Sequence, residues 1–260
     1  MRDARGARYW VILAVIGLVG GALSGLFGIG GGIVMVPLLV SLGGFNQRQA
    51  AATSLVAIIP AAIIGSITYL VAGEIDIVAG AIISVGAVAG ALVGSMLLRR
   101  LSLAWLSWMF IALLLVVAVR LLLVVPERGE ALELSPGVAL GYVALGLVMG
   151  VASGLFGIGG GVIAVPALVA IFGISDLIAK GTSLLVMIPT SIVGTISHVR
   201  ARAVDVRAGL VVGVTATVAS VPGALLALAL PPRLSSILFA VLLLVVAAQL
   251  IVRAIRTRGR

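Results

Sequence analysis

Two short segments of this chain carry the residue types from which an anion site could be built. Residues 24 to 38 read SGLFGIGGGIVMVPL, and residues 153 to 167 read SGLFGIGGGVIAVPA. Three consecutive glycines, at 30–32 and again at 159–161, are poor helix formers, at about 1 kcal/mol each relative to alanine. Pro37 and Pro166 follow within a turn or two, and each removes a backbone donor. A helix entering either tract should therefore break and leave free amides and carbonyls. A fresh helix starting near Ile33 or Val162 would turn its positive end and unpaired N–H groups toward an anion. This makes Gly28, Gly30, Gly31, Gly32, Gly157, Gly159, Gly160 and Gly161 candidate substrate-binding positions, with Ser24 and Ser153 as weaker ones just before each break. The plainer alternative is that the glycines only let helices pack closely. A triple glycine with a following proline, present twice, favours the site. The tract is no dinucleotide fingerprint, because Ile33 stands where GxGxxG requires its third glycine.

Hydroxyls form the second constellation. Thr53 and Ser54, with their copies Thr182 and Ser183, open the helix after each tract. They can donate to an oxyanion, or they can cap and back-bond to their own helix. Lys180 precedes the second pair and can either attract an anion or snorkel to the interface. Its counterpart in the first copy is Ala51, so the two copies differ there. Asp76 and Asp205 flank loops, where helix capping is the favoured role. His198, the one histidine, reads as an interfacial residue, with proton relay as the alternative; Arg120 lies near enough to a helix end to snorkel. No nucleophile–base pair and no His or carboxylate grouping with metal-ligand spacing is evident, so neither an enzyme nor a resident cofactor or metal is expected.

Composition dictates what must position these groups. Of 260 residues, 62% are hydrophobic and 10% charged, against roughly 25% charged in soluble domains. A bilayer-spanning helix needs about 20 mostly apolar residues, and runs of this kind recur throughout. The net charge of +9 comes largely from arginines at the chain ends and in short loops, a pattern of membrane anchoring rather than of nucleic-acid binding. With no cysteine, disulfides and thiolate chemistry are excluded.

The two tracts belong to a longer repeat with an offset of 129 residues. At that offset Pro60 matches Pro189, Gly65 matches Gly194, Asp76 matches Asp205, and Phe110 to Ala118 matches Phe239 to Ala247. The expected organisation is therefore an all-α polytopic membrane protein of two homologous repeats, 1–128 and 129–260. Each repeat holds a long helix (Tyr9 to Phe27; Pro136 to Phe156), the glycine tract, and a short apolar piece (Ile33 to Leu42; Val162 to Phe172). Three long helices follow in each, at about 49–72, 77–98 and 103–125, then 178–199, 206–229 and 234–254.

Charge argues for the orientation. If each tract element crosses the membrane once, the repeats are parallel. If it is a hairpin returning to its starting side, they are inverted. The hairpin places 13 Lys/Arg on the N-terminal side and leaves only Arg128, Lys180 and Arg233 opposite, with Arg120 uncounted. It also gathers Glu74, Asp76, Glu127, Glu130 and Glu133 on the outside. The positive-inside rule thus favours inversion, with both termini cytoplasmic in the plasma membrane.

Duplicated GLFGIGGGxxxVP segments, each followed about 17 residues later by a TS-L motif, resemble the sulfite exporter TauE/SafE family of membrane proteins over nearly the whole chain. The resemblance implies a permease moving sulfite, sulfonates or related small anions, commonly outward. It carries onto Gly25, Gly28, the triple glycines, Pro37, Thr53 and Ser54, and onto Gly154, Gly157, Pro166, Gly181, Thr182 and Ser183. Ala52 departs from the pattern where Gly181 keeps it. The expectation is a secondary carrier working by alternating access at the broken helices, surrounded by membrane lipid and open to proton coupling. An anion channel and a non-transporting membrane scaffold are the rivals.

Overall fold

The computed structural model describes residues 6–123, 135–201 and 203–258. Arg2, Arg5, Arg128 and Arg202, and the acidic Glu127, Glu130 and Glu133, lie outside the described residues. Among the described residues ten helices follow in order: α1 Ala7–Phe27, α2 Gly32–Ser41, α3 Gln47–Val71, α4 Ile77–Arg100, α5 Leu103–Leu123, α6 Pro136–Phe156, α7 Gly161–Ala170, α8 Asp176–Arg200, α9 Val206–Ala229 and α10 Pro232–Arg258. Eight of them are long and apolar enough to cross a membrane; α2 and α7 are the short pieces. Local chemistry explains the boundaries. Asn46 and Gln49 form a capping box at the start of α3, and Ser135, with Pro136 behind it, opens α6. Asp76 and Asp205 accept from the amides of Ala79 and Ala208, which caps α4 and α9 as their loop positions suggested.

The short helices fold back along their long partners. Met35 of α2 lies against Gly20 of α1, and Leu39 and Val40 join Leu13 and Ile16 in one apolar cluster. In the same way Gly160 meets Met149, while Phe172 packs on Tyr142 with ring centroids 4.7 Å apart. Each tract is thus the turn of a helical hairpin.

Two close seams hold the bundle together. Along α4, a Cβ added at Gly86, Gly90 or Gly94 would overlap the carbonyl oxygens of Val143, Leu147 and Val151 on α6. Gly146, Gly150 and Gly154 of α6 meet Ile83, Ala87 and Ala91 of α4 reciprocally. The second seam sets Gly17, Gly21 and Gly25 of α1 against Val212, Ala216 and Ser220 of α9. In lipid there is little hydrophobic drive between helices, so backbone approach through small residues, with Cα–H···O contacts, supplies much of the association. In both seams the helices run the same way. At the centre α3 and α8 oppose each other, Gly65 meeting Leu184 and Gly194 meeting Leu55. The outward faces of these helices carry Val93, Val85, Leu140, Val218 and similar side chains, the surface expected against acyl chains.

Candidate functional site

The two breaks touch. α1 ends at Gly28 (φ 67°) and α2 begins after Gly30 and Gly31, both at φ 72°; α6 ends at Gly157 (φ 69°), followed by Gly159 (φ 73°) and Gly160 (φ 90°). These left-handed conformations are open to glycine at no steric penalty, which is why the tracts are glycine. Gly32 and Gly161 have ordinary φ but no room. A Cβ on Gly32 would lie 2.7 Å from the Cα of Ile158, and one on Gly161 would lie 2.8 Å from the Cα of Ile29. The first turns of α2 and α7 have no side-chain cap, so their positive ends face the junction. Ile58 of α3 and Met187 of α8, equivalent positions in the two copies, fill the space beside Gly30 and Gly159. The two make a fully buried apolar plug, and Ile29, Ile33, Ile158 and Val162 of the tracts are fully buried as well.

The hydroxyl pairs tie the copies together. Ser54 donates to the Gly157 carbonyl at 2.6 Å and Ser183 donates to the Gly28 carbonyl at 2.9 Å. The amides of Asp205 and Asp76 donate to Thr53 and Thr182 at 3.2 and 2.9 Å. Each pair therefore reaches into the other copy and satisfies a carbonyl or amide that a break or cap leaves free. Ser24 and Ser153 differ: both are fully buried, and their hydroxyls have no hydrogen-bond partner among the described residues. A buried unpaired hydroxyl is unfavourable by about 1–3 kcal/mol, so these two mark positions where something other than fold stability sets the residue.

Lys180 neither snorkels nor faces lipid. It is buried, donating to Asp176 at 2.9 Å and to Ser235 at 2.8 Å. Its backbone packs on Gly28, so the first break lies directly behind it. Asp176 and Ser235 were not singled out from the sequence. The i, i+4 spacing of Asp176 and Lys180 on one helix could have revealed the first; Ser235 comes from a helix 55 positions away and left no local signal. His198 is a correction. It is fully buried rather than interfacial, because its side of α8 faces the backbone of Gly154 on α6. Its counterpart Tyr69 donates to the Gly25 carbonyl at 2.8 Å. Gly181 keeps its motif identity because a Cβ there would overlap the Glu74 carbonyl.

Broken hairpins meeting inside a polytopic helical bundle are the architecture of a membrane transporter. Comparison with known proteins gives the family: its model, "Sulfite exporter TauE/SafE", matches residues 2–121 and 142–260. The chain belongs to that family. It is 30% identical over 213 residues to the probable membrane transporter protein YunE of Bacillus subtilis (strain 168), covering 73% of this chain and 78% of the relative. A probable membrane transporter protein of Xylella fastidiosa (strain 9a5c) is 32% identical over 193 residues, 73% of each chain. A shorter likeness, 30% over 117 residues, reaches the probable membrane transporter protein MamO of Magnetospirillum gryphiswaldense, covering 42% of this chain and 18% of that one.

Proposed function

We propose that this transporter is a secondary carrier exporting small sulfur-containing anions, sulfite or organosulfonates, across the plasma membrane. In this reading the chain is two inverted repeats, 1–128 and 129–260, with both termini cytoplasmic. The observation that carries it is the junction of the two breaks, where two uncapped helix N-termini meet, with the buried hydroxyls of Ser24 and Ser153 one helical turn before each break. Amides at a positive helix end suit an oxyanion, and the glycines let it approach the backbone. The Ile58–Met187 plug must withdraw for an anion to enter, which is the step alternating access would perform. His198, with Arg99 as its charged neighbour across α4, is the group through which we place proton coupling.

The test is counterflow in proteoliposomes loaded with sulfite, taurine or a short alkanesulfonate. Saturable exchange that falls about 2- to 10-fold in apparent affinity in Ser24→Ala and Ser153→Ala is expected, the range a single hydrogen bond to an anion provides. Because neither hydroxyl has a partner among the described residues, these variants are expected to keep the fold. Exchange identical to that of the parent would remove the junction from the reading. Conductance without counterflow would identify a channel, and no flux of any anion a scaffold.

A further inference from the structure

The group of polar side chains around Lys180 has no equivalent in the other copy. Shifting by the repeat offset turns Asp176, Lys180 and Ser235 into Gln47, Ala51 and Leu106, and turns Arg120 into Gln249. Phe27 and Phe239, which stack with centroids 5.1 Å apart, do have a counterpart in Phe110 and Phe156. The aromatic scaffold thus occurs twice, and the charges surround one of its two instances alone. They line a cavity of about 30 Å³ at the end of the bundle where α1 terminates, walled by Val165, Pro166 and Leu121 as well as the two phenylalanines. Arg120 and Lys180 against Asp176 leave this cavity with one net positive charge.

Hydrogen-bonding capacity points the same way. Lys180 has three N–H donors and uses two, while Ser235 accepts from Lys180 and has its own proton unspent among the described residues. A lone pair of opposite charges buried among apolar walls gains little stability over a hydrophobic replacement. Yet Asp176 occupies the place on Lys180 that a ligand oxyanion would take.

Resting on the carrier reading above, we propose that this cavity is a capture station for a short organic oxyanion, in which Asp176 is a tethered stand-in for the ligand. The incoming carboxylate or sulfonate displaces Asp176, accepts from Lys180 Nζ and Ser235 Oγ, and lays its apolar tail against Phe27 and Phe239. A cavity with room for about two waters cannot admit the ligand while Asp176 stays in place, so exchange of the two anions is obligatory. From there Gly28 and the first break lie immediately behind Lys180.

The experiment is isothermal titration of the purified full chain with propane-1-sulfonate and butanoate, with chloride and an anionic phospholipid as separate arms. Lys180→Met should weaken binding roughly tenfold or more, since a charge-assisted hydrogen bond is lost. Asp176→Asn should tighten it roughly three- to tenfold, because the internal competitor is neutralised while Lys180 keeps an acceptor. A purely structural ion pair predicts that both variants lose stability and that neither changes anion affinity. Two results would overturn the proposal: weaker binding in Asp176→Asn, or response to the phospholipid alone. Wild-type counterflow that persists with unaltered affinity in a folded Lys180→Met protein would overturn the capture station and leave the carrier standing. Absent counterflow in the parent would strike the carrier itself.

Discussion

Glycines in this protein serve different ends, and substitution separates them. Gly31 and Gly44 share φ 72°, but a Cβ at Gly44 meets nothing within 4 Å while one at Gly31 would overlap the Gly20 carbonyl. Gly44→Ala is expected to lose about 1–2 kcal/mol through the left-handed backbone alone. Gly31→Ala should lose distinctly more, because overpacking adds about 1–3 kcal/mol to the same backbone penalty. Thermal unfolding of both variants in one detergent checks the order; equal losses would mean the break region yields to accommodate a methyl group. The sequence announced the triple glycines as a break because propensity is a local property. It could not say whether Thr53, Ser54, Thr182 and Ser183 face a ligand or a backbone, since their partners lie more than 100 positions away. Ser235 was out of reach for a related reason, since only the fold brings the start of α10 to Lys180, whereas the Asp176–Lys180 spacing on α8 was legible.

At the scale of helices, every one of the ten follows from hydropathy and breakers, with ends displaced by a few residues where Asn46 and Ser175 set caps. The G-x-x-x-G-x-x-x-G spacing at Gly86, Gly90 and Gly94 and at Gly146, Gly150 and Gly154 is legible too. Partner choice was not, because such a spacing says that a helix will pack closely and is silent on which neighbour it meets. The seams give a sharp contrast within one helix. Gly90→Val should abolish monodisperse folded protein, since its side chain would enter the Leu147 backbone. Val93→Ala, on the lipid-facing side at 49% exposure, should leave elution and melting unchanged. If both tolerate substitution alike in size-exclusion chromatography, the α4–α6 contact is looser than it stands here.

For the molecule as a whole, the repeat boundary is not where the packing divides. α1 lies against α9 and α4 against α6, so each close seam joins one helix from before residue 128 to one from after it. In the proposed carrier the bodies that rock are α1, α2 and α9 on one side and α4, α6 and α7 on the other, with the α3–α8 crossing between them. A chain without cysteine offers a clean background for the test. A short cleavable thiol cross-linker between Gly65→Cys and Leu184→Cys should arrest counterflow, and cleavage should restore it. Undiminished exchange in the cross-linked protein would show that α3 and α8 move as one.

The seams also bear on how the protein is made. When α1 leaves the ribosome its glycine-lined groove has no occupant, and α9 is completed about 200 residues later, a wait of roughly 10–40 s at typical rates of synthesis. The carbonyl of Gly28 waits likewise for the hydroxyl of Ser183, and the hydroxyl of Ser54 waits for the carbonyl of Gly157. The first five helices therefore stand half-assembled in the membrane until α6 and α9 arrive, and the Gly28 carbonyl is a polar group that has to be kept from lipid in the meantime.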